Sequence, residues 1–146
     1  NNPLDLKARE KMAEASIVAG VAFSHPRTTA SHACSFPLTN IYGLPHGEAC
    51  AFTLDYFLKF NAEHADGDGR ITALAKDCGF NDAFEMADEI TAMKKRMGMR
   101  CKLSEIGCET DEQIDELTKK SMSMLMTRNP ITLTQKDIKE MYIKLK

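Results

Sequence analysis

Thr28-Thr29-Ala30-Ser31-His32-Ala33-Cys34-Ser35-Phe36-Pro37-Leu38-Thr39 continues through Asn40-Ile41-Tyr42 into Gly43-Leu44-Pro45-His46-Gly47-Glu48-Ala49. The stretch predicts a helix-like segment over 28–42, with Pro37 marking a kink or a first turn. A loop follows at 43–47, then a helix over about 48–60. His32 and His46 are 46 − 32 = 14 residues apart, and each has small neighbours. Small neighbours let an imidazole and the backbone approach a shared point. Pro45 stiffens the chain before His46, and Gly47 tolerates unusual dihedrals after it. A metal-binding imidazole needs such a fixed aim. Spacing alone leaves two readings open: one shared cation, or two separate hydrogen-bonded histidines near helix ends.

Working outward, helix signals dominate. Asp5 is a cap for a helix over 6–23, ended by His25-Pro26. Residues 16–23 are apolar nearly all round, which predicts a buried helix. Asp66-Gly67-Asp68-Gly69 is a turn. Helices are expected over 71–78 and 82–97, a short turn at 102–107, and helices over 111–126 and 134–145. Apolar residues such as Phe84, Ala87, Ile90, Met93 and Met97 fall at helical spacing. No alternating strand pattern of useful length and no internal repeat is present. The fold class is therefore all-α, a compact multi-helix domain over residues 1–146. Asp66 to Asp77 superficially suggests a calcium loop, but Arg70 and Ile71 stand where an oxygen ligand and glycine belong.

Composition narrows the function classes. The chain has 146 residues, 43% hydrophobic and 27% charged, which suits one domain with a real core. A formal net charge of -2, with both signs interspersed, argues against a nucleic-acid partner. No apolar run nears the ~20 residues of a membrane span. The cysteines at 34, 50, 78, 101 and 108 form no CxxC pair. They are expected to be small buried apolar residues in a reducing cytoplasm. Asn1-Asn2-Pro3-Leu4-Asp5 is neither a signal peptide nor a natural start, so the chain is expected to be part of a longer protein.

The run Ala8-Arg9-Glu10-Lys11-Met12-Ala13-Glu14-Ala15-Ser16-Ile17-Val18-Ala19-Gly20 resembles the helix before the metal site of iron-dependent (group III) alcohol dehydrogenases. Ser31-His32-Ala33 and Gly43-Leu44-Pro45-His46-Gly47-Glu48-Ala49 resemble that family's two-histidine motif. Phe60-Asn61, and Arg128-Asn129-Pro130-Ile131-Thr132-Leu133-Thr134 near the end, fit as well. The resemblance spans nearly the whole chain and is most specific over 8–61.

That resemblance implies the C-terminal metal-binding domain of a two-domain dehydrogenase. His32 and His46 would be two ligands of a divalent metal, iron first and zinc second. An Asp and another His would come from an upstream D-x-x-x-H segment that this chain lacks. The domain binding NAD or NADP would also lie upstream, since no Gly-rich phosphate fingerprint occurs here. The implied reaction is hydride transfer between NAD(P)H and a small aldehyde or its alcohol. The full-length protein is expected to be a homo-oligomer, and this chain alone to be inactive and to expose apolar surface around 16–47.

Many family members carry a His four residues after the first of these ligands; here that position is Phe36, expected to shape the substrate and nicotinamide pocket. Residues 27–39 resemble most the phosphonoacetaldehyde reductase-like subgroup. Arg27, Thr28 and Thr29 could then meet an anionic substrate tail, or Arg27 could be a surface cation beside a helix start. His25 and His64 have no motif support. The competing function is a standalone, non-catalytic helical interaction module, resting on the helical composition and on Met122, Met124 and Met126. Those methionines are more simply core.

Overall fold

Helix starts in this chain are written by capping side chains. Asp5 accepts from the Ala8 amide at 3.1 Å, and Asp82 from those of Phe84 and Glu85. Thr110 with Gln113, and Thr134 with Asp137, close reciprocal capping boxes. The computed structural model describes residues 2–146, and among these the chain is all-α, as the periodicity predicts. The helices are α1 (Leu6–Phe23), α2 (Ala30–Tyr42), α3 (His46–Phe52), α4 (Leu54–Ala65), α5 (Arg70–Asp77), α6 (Ala83–Arg96), α7 (Asp111–Ser121) and α8 (Gln135–Lys144). Leu103–Ile106 and Met124–Arg128 are 3-10 turns.

Helix α2 is the hub. Ala30, Ala33, Cys34, Pro37 and Leu38 recur at helical spacing and are all buried. That face packs on α3, α4, α7 and the 124–128 turn. The core continues through Phe52, Leu103, Ile114, Leu117, Ile138, Met141 and Tyr142. Helices α7 and α8 pair, and Tyr142 Oη lies 2.7 Å from Ser121 Oγ at their buried contact. Helices α4, α5 and α6 form a second group against α2 and α3.

Several sequence expectations are corrected. Helix α1 keeps the predicted bounds but has no buried residue; Ile17, Val18, Val21 and Phe23 are all exposed. Its apolar side chains stay uncovered by the described residues. Pro37 lies inside α2, not in its first turn. The helix expected over 111–126 stops at Ser121, and Met124 is exposed while Met126 is core. Only Cys34 and Cys108 are buried; Cys50 and Cys101 are half-buried and Cys78 is exposed. The turn expected at 66–69 is present, and the Asp66 carboxylate accepts from the Ile71 and Thr72 amides and the Thr72 hydroxyl, tying down the start of α5.

The helix expected over 48–60 is two helices broken at Thr53. Lys94, 2% exposed, explains the break. Its ammonium donates to the Ala51 and Phe52 carbonyls at 3.2 and 3.3 Å and to Asp55 Oδ1 at 2.7 Å. Thr91 donates to the other Asp55 oxygen. All three ammonium protons are used on groups that the break leaves open.

Removing one partner of such a buried pair strands the other charge. Lys94→Met is expected to lower unfolding stability by about 3–5 kcal/mol. Lys120→Met, which breaks an exposed pair with Glu116, should cost under about 1 kcal/mol. Urea denaturation of both variants reads the difference, and equal small losses would refute the clamp.

Candidate metal centre

The two histidines are brought together by the way α2 ends. Gly43 adopts φ +68°, a left-handed conformation that suits glycine. Its amide donates to the Thr39 carbonyl, and the Leu44 amide to that of Leu38. This double return closes the helix, and buried Leu44 anchors the reversal in the core. Pro45 then leads directly into α3, whose first residue is His46. The hinge is therefore Gly43; Gly47 lies in the first turn of α3 and has no positive φ.

His32 and Phe36 stand one helical turn apart on α2, off its buried face. The His32 and His46 ring centroids lie 4.8 Å apart at 86°. Phe36 meets His32 edge-on at 5.2 Å and stacks beside His46 at 6.1 Å. Cys50, one turn along α3 from His46, places Sγ 3.4 Å from His32 Nδ1 and 3.7 Å from His46 Nε2. One ligand atom from each of His32, His46 and Cys50 falls within 4.8 Å of the others.

The surroundings favour a neutral His32 imidazole. Partial burial, and then the charge of His46, lowers the His32 pKa below the ordinary value. Ser35 Oγ donates to the His32 carbonyl at 2.7 Å and lies 3.5 Å from His46 Nδ1. With its single proton used on the carbonyl, Ser35 can only accept from Nδ1–H. That tautomer leaves the His46 Nε2 lone pair facing Cys50 and His32, as a metal ligand requires. Helix α3 is fixed from below by Glu48. Arg100 donates to it from Nε at 2.9 Å, from Nη2 at 2.8 Å and from its amide at 2.9 Å. The Arg100 guanidinium holds the Glu48 carboxyl down at about 2, so the pair is fully ionised at neutral pH.

The remaining sequence candidates divide. Arg27, Thr28 and His32 line an open groove of about 430 Å³ with Phe23, Ser24 and Arg128. Arg27 has φ +64°, which costs a non-glycine residue roughly 1–2 kcal/mol. Thr29 sits instead at the N-cap of α2, outside that lining. His25 is exposed, and His64 packs its ring against Phe60 at 4.5 Å on α4, away from the cluster. Two residues escaped the sequence reading. Cys50 was findable, because His46 and Cys50 share a helix face at i and i+4. Arg128 was not, because its place depends on a contact across 68 residues: Asn61 and Asn129 exchange side-chain hydrogen bonds at 3.2 and 2.6 Å.

Similarity to known proteins places the chain in one family. The sequence profile described as Fe-containing alcohol dehydrogenase family, C-terminal, matches residues 1–145. An alcohol dehydrogenase of Thermococcus barophilus is 33% identical over 94% of this chain and 36% of its own length. The crystal structure of sulfoacetaldehyde reductase from Bifidobacterium kashiwanohense, in complex with NAD+, is 48% identical with TM-score 0.93, covering 99% of this chain and 38% of that one. An iron-containing alcohol dehydrogenase from Thermococcus thioreducens superposes with TM-score 0.82 at 29% identity, over 97% of this chain and 38% of that one. This chain thus spans a little over a third of the length of these proteins.

Arg100→Ala should lower stability by more than an ordinary surface substitution does, because two of the three donors to Glu48 are lost. Urea unfolding measures it. A change within about 0.5 kcal/mol, ordinary for a surface residue, would remove Arg100 from the support of α3.

Proposed function

We propose, since this chain belongs to the Fe-containing alcohol dehydrogenase family and matches its C-terminal part, that the intact protein interconverts a short aldehyde and its alcohol using NAD or NADP. The observation that supports this reading is the convergence of His32 and His46 beside one apolar ring. The alternative of a standalone interaction module draws nothing from that geometry.

The donor set fits a divalent cation of borderline softness, iron first and zinc second. When bound, such an ion supplies Lewis-acid polarisation of a carbonyl, a contribution of several kcal/mol. The chain's own residues then do the rest. His32 and His46 hold the ion, with Ser35 fixing one tautomer. Phe36 forms a flat wall next to both imidazoles, where it shapes the space for substrate and nicotinamide. Arg27 and Thr28 meet an anionic tail, Arg128 adds a second cation to the same groove, and Thr29 takes part only as the N-cap of α2 beside it. The similar sulfoacetaldehyde reductase is named for a short aldehyde that ends in a sulfonate. By analogy, the substrate here is an aldehyde with a small anionic group.

The upstream part of the protein supplies the nucleotide-binding domain and two further ligands in this reading. It also covers the exposed apolar side chains of α1. This chain alone is therefore inactive. No helix among the described residues is long and apolar enough to cross a membrane. We assign the protein to the cytoplasm and expect a homo-oligomer.

In the full-length protein, His32→Ala or His46→Ala should remove bound metal and lower kcat/KM for aldehyde reduction by about a thousandfold or more. Metal analysis alongside NADH and NADPH turnover assays reads both, and retained metal with retained activity would refute the assignment. Arg27→Ala should weaken an anionic aldehyde by about 10- to 100-fold in kcat/KM while sparing propanal. Equal effects on the two aldehydes would place Arg27 outside the substrate site.

A further inference from the structure

The His32 and His46 pair has a third neighbour that no part of the proposed mechanism uses. Cys50 Sγ sits 3.4 Å from His32 Nδ1 and 3.7 Å from His46 Nε2. In a tetrahedral zinc site, bonds of roughly 2.0–2.1 Å to nitrogen and 2.3 Å to sulfur put ligand N and S about 3.6 Å apart. The two separations bracket that edge, and the three donor atoms all lie within 4.8 Å of one another. Cys50 is half-buried and lies on the same helix face as His46, so both side chains reach the point from a rigid element.

We propose that the Cys50 thiolate is a direct metal ligand, adding sulfur to the two imidazoles and shifting the order given by the imidazoles alone from iron towards zinc. The inference rests on the reading of His32 and His46 as metal ligands and goes beyond it in ligand number and metal preference. Binding is a simple exchange: the thiol proton is released to solvent as the sulfur–metal bond forms, with no change of oxidation state. A thiolate is a softer donor than carboxylate or imidazole, which favours zinc and cobalt(II) as its stand-in. Ligands from upstream would raise the coordination number, and zinc accepts five.

The test uses the full-length protein stripped of metal and titrated anaerobically with Co2+. A thiolate ligand gives a sulfur-to-cobalt charge-transfer band in the near ultraviolet. The expected result is that band at one equivalent, its bleaching by Zn2+ and weaker displacement by Fe2+. Cys50→Ser and Cys50→Ala should lose the band. Their zinc affinity should fall by more than the roughly 10- to 100-fold that loss of an outer-shell partner costs. Cys78→Ser, at an exposed position, should leave the band intact. Circular dichroism confirms that each variant is folded, and the two Cys50 replacements guard against failure of either one. Cobalt binding that needs His32 and His46 but shows no thiolate band would overturn the proposal and leave the two-histidine site standing. A band that survives loss of Cys50 would also overturn it. Absence of any cobalt binding sensitive to His32→Ala would overturn both readings together.

Discussion

Everything at the candidate metal centre depends on one backbone reversal. Helix α2 carries His32, α3 begins with His46, and only two residues and a proline separate the helices. A chain that short can bring both imidazoles to one point only if it turns back at once. Gly43 permits the turn through its left-handed φ, and the two carbonyls it closes would otherwise be left open at the helix end. Leu44 makes the turn irreversible in practice, because unwinding it would pull a fully buried side chain from the core.

That local reversal is held by contacts made far along the chain. Lys94, from α6, gathers the end of α3 and the start of α4. Arg100, just beyond α6, grips Glu48 two residues after His46. Asn129 grips Asn61 and so brings the 124–128 turn, with Arg128, to the groove beside His32. The α2 core face supplies most of the apolar burial, while these three polar contacts set the angles. A site placed this way is assembled by the second half of the chain as much as by the first.

How much of this was legible in the sequence follows the same division. Capping residues are local, so the bounds of α1 and the starts of α6 and α8 could be read directly from Asp5, Asp82 and Thr134. The paired histidines could be read from their small neighbours and the Gly-Leu-Pro turn, although the left-handed glycine is Gly43 and not Gly47. The break at Thr53 could not be read, because nothing near it says that Lys94, some forty residues on, will be buried there. Cys50 could be read from its i, i+4 spacing to His46, although its type argues the other way: a lone cysteine in an apolar helix is usually core. Helix α1 misled in another way. Its sequence says buried, yet among the described residues its apolar side chains are all exposed.

The most direct measurement of the central claim is anomalous diffraction from crystals of the full-length protein, recorded above and below the absorption edges of iron and zinc. The account expects one peak about 2.0–2.1 Å from a ring nitrogen of His32 and from a ring nitrogen of His46. A metal peak elsewhere, with the two rings turned to separate hydrogen-bond partners, would contradict it.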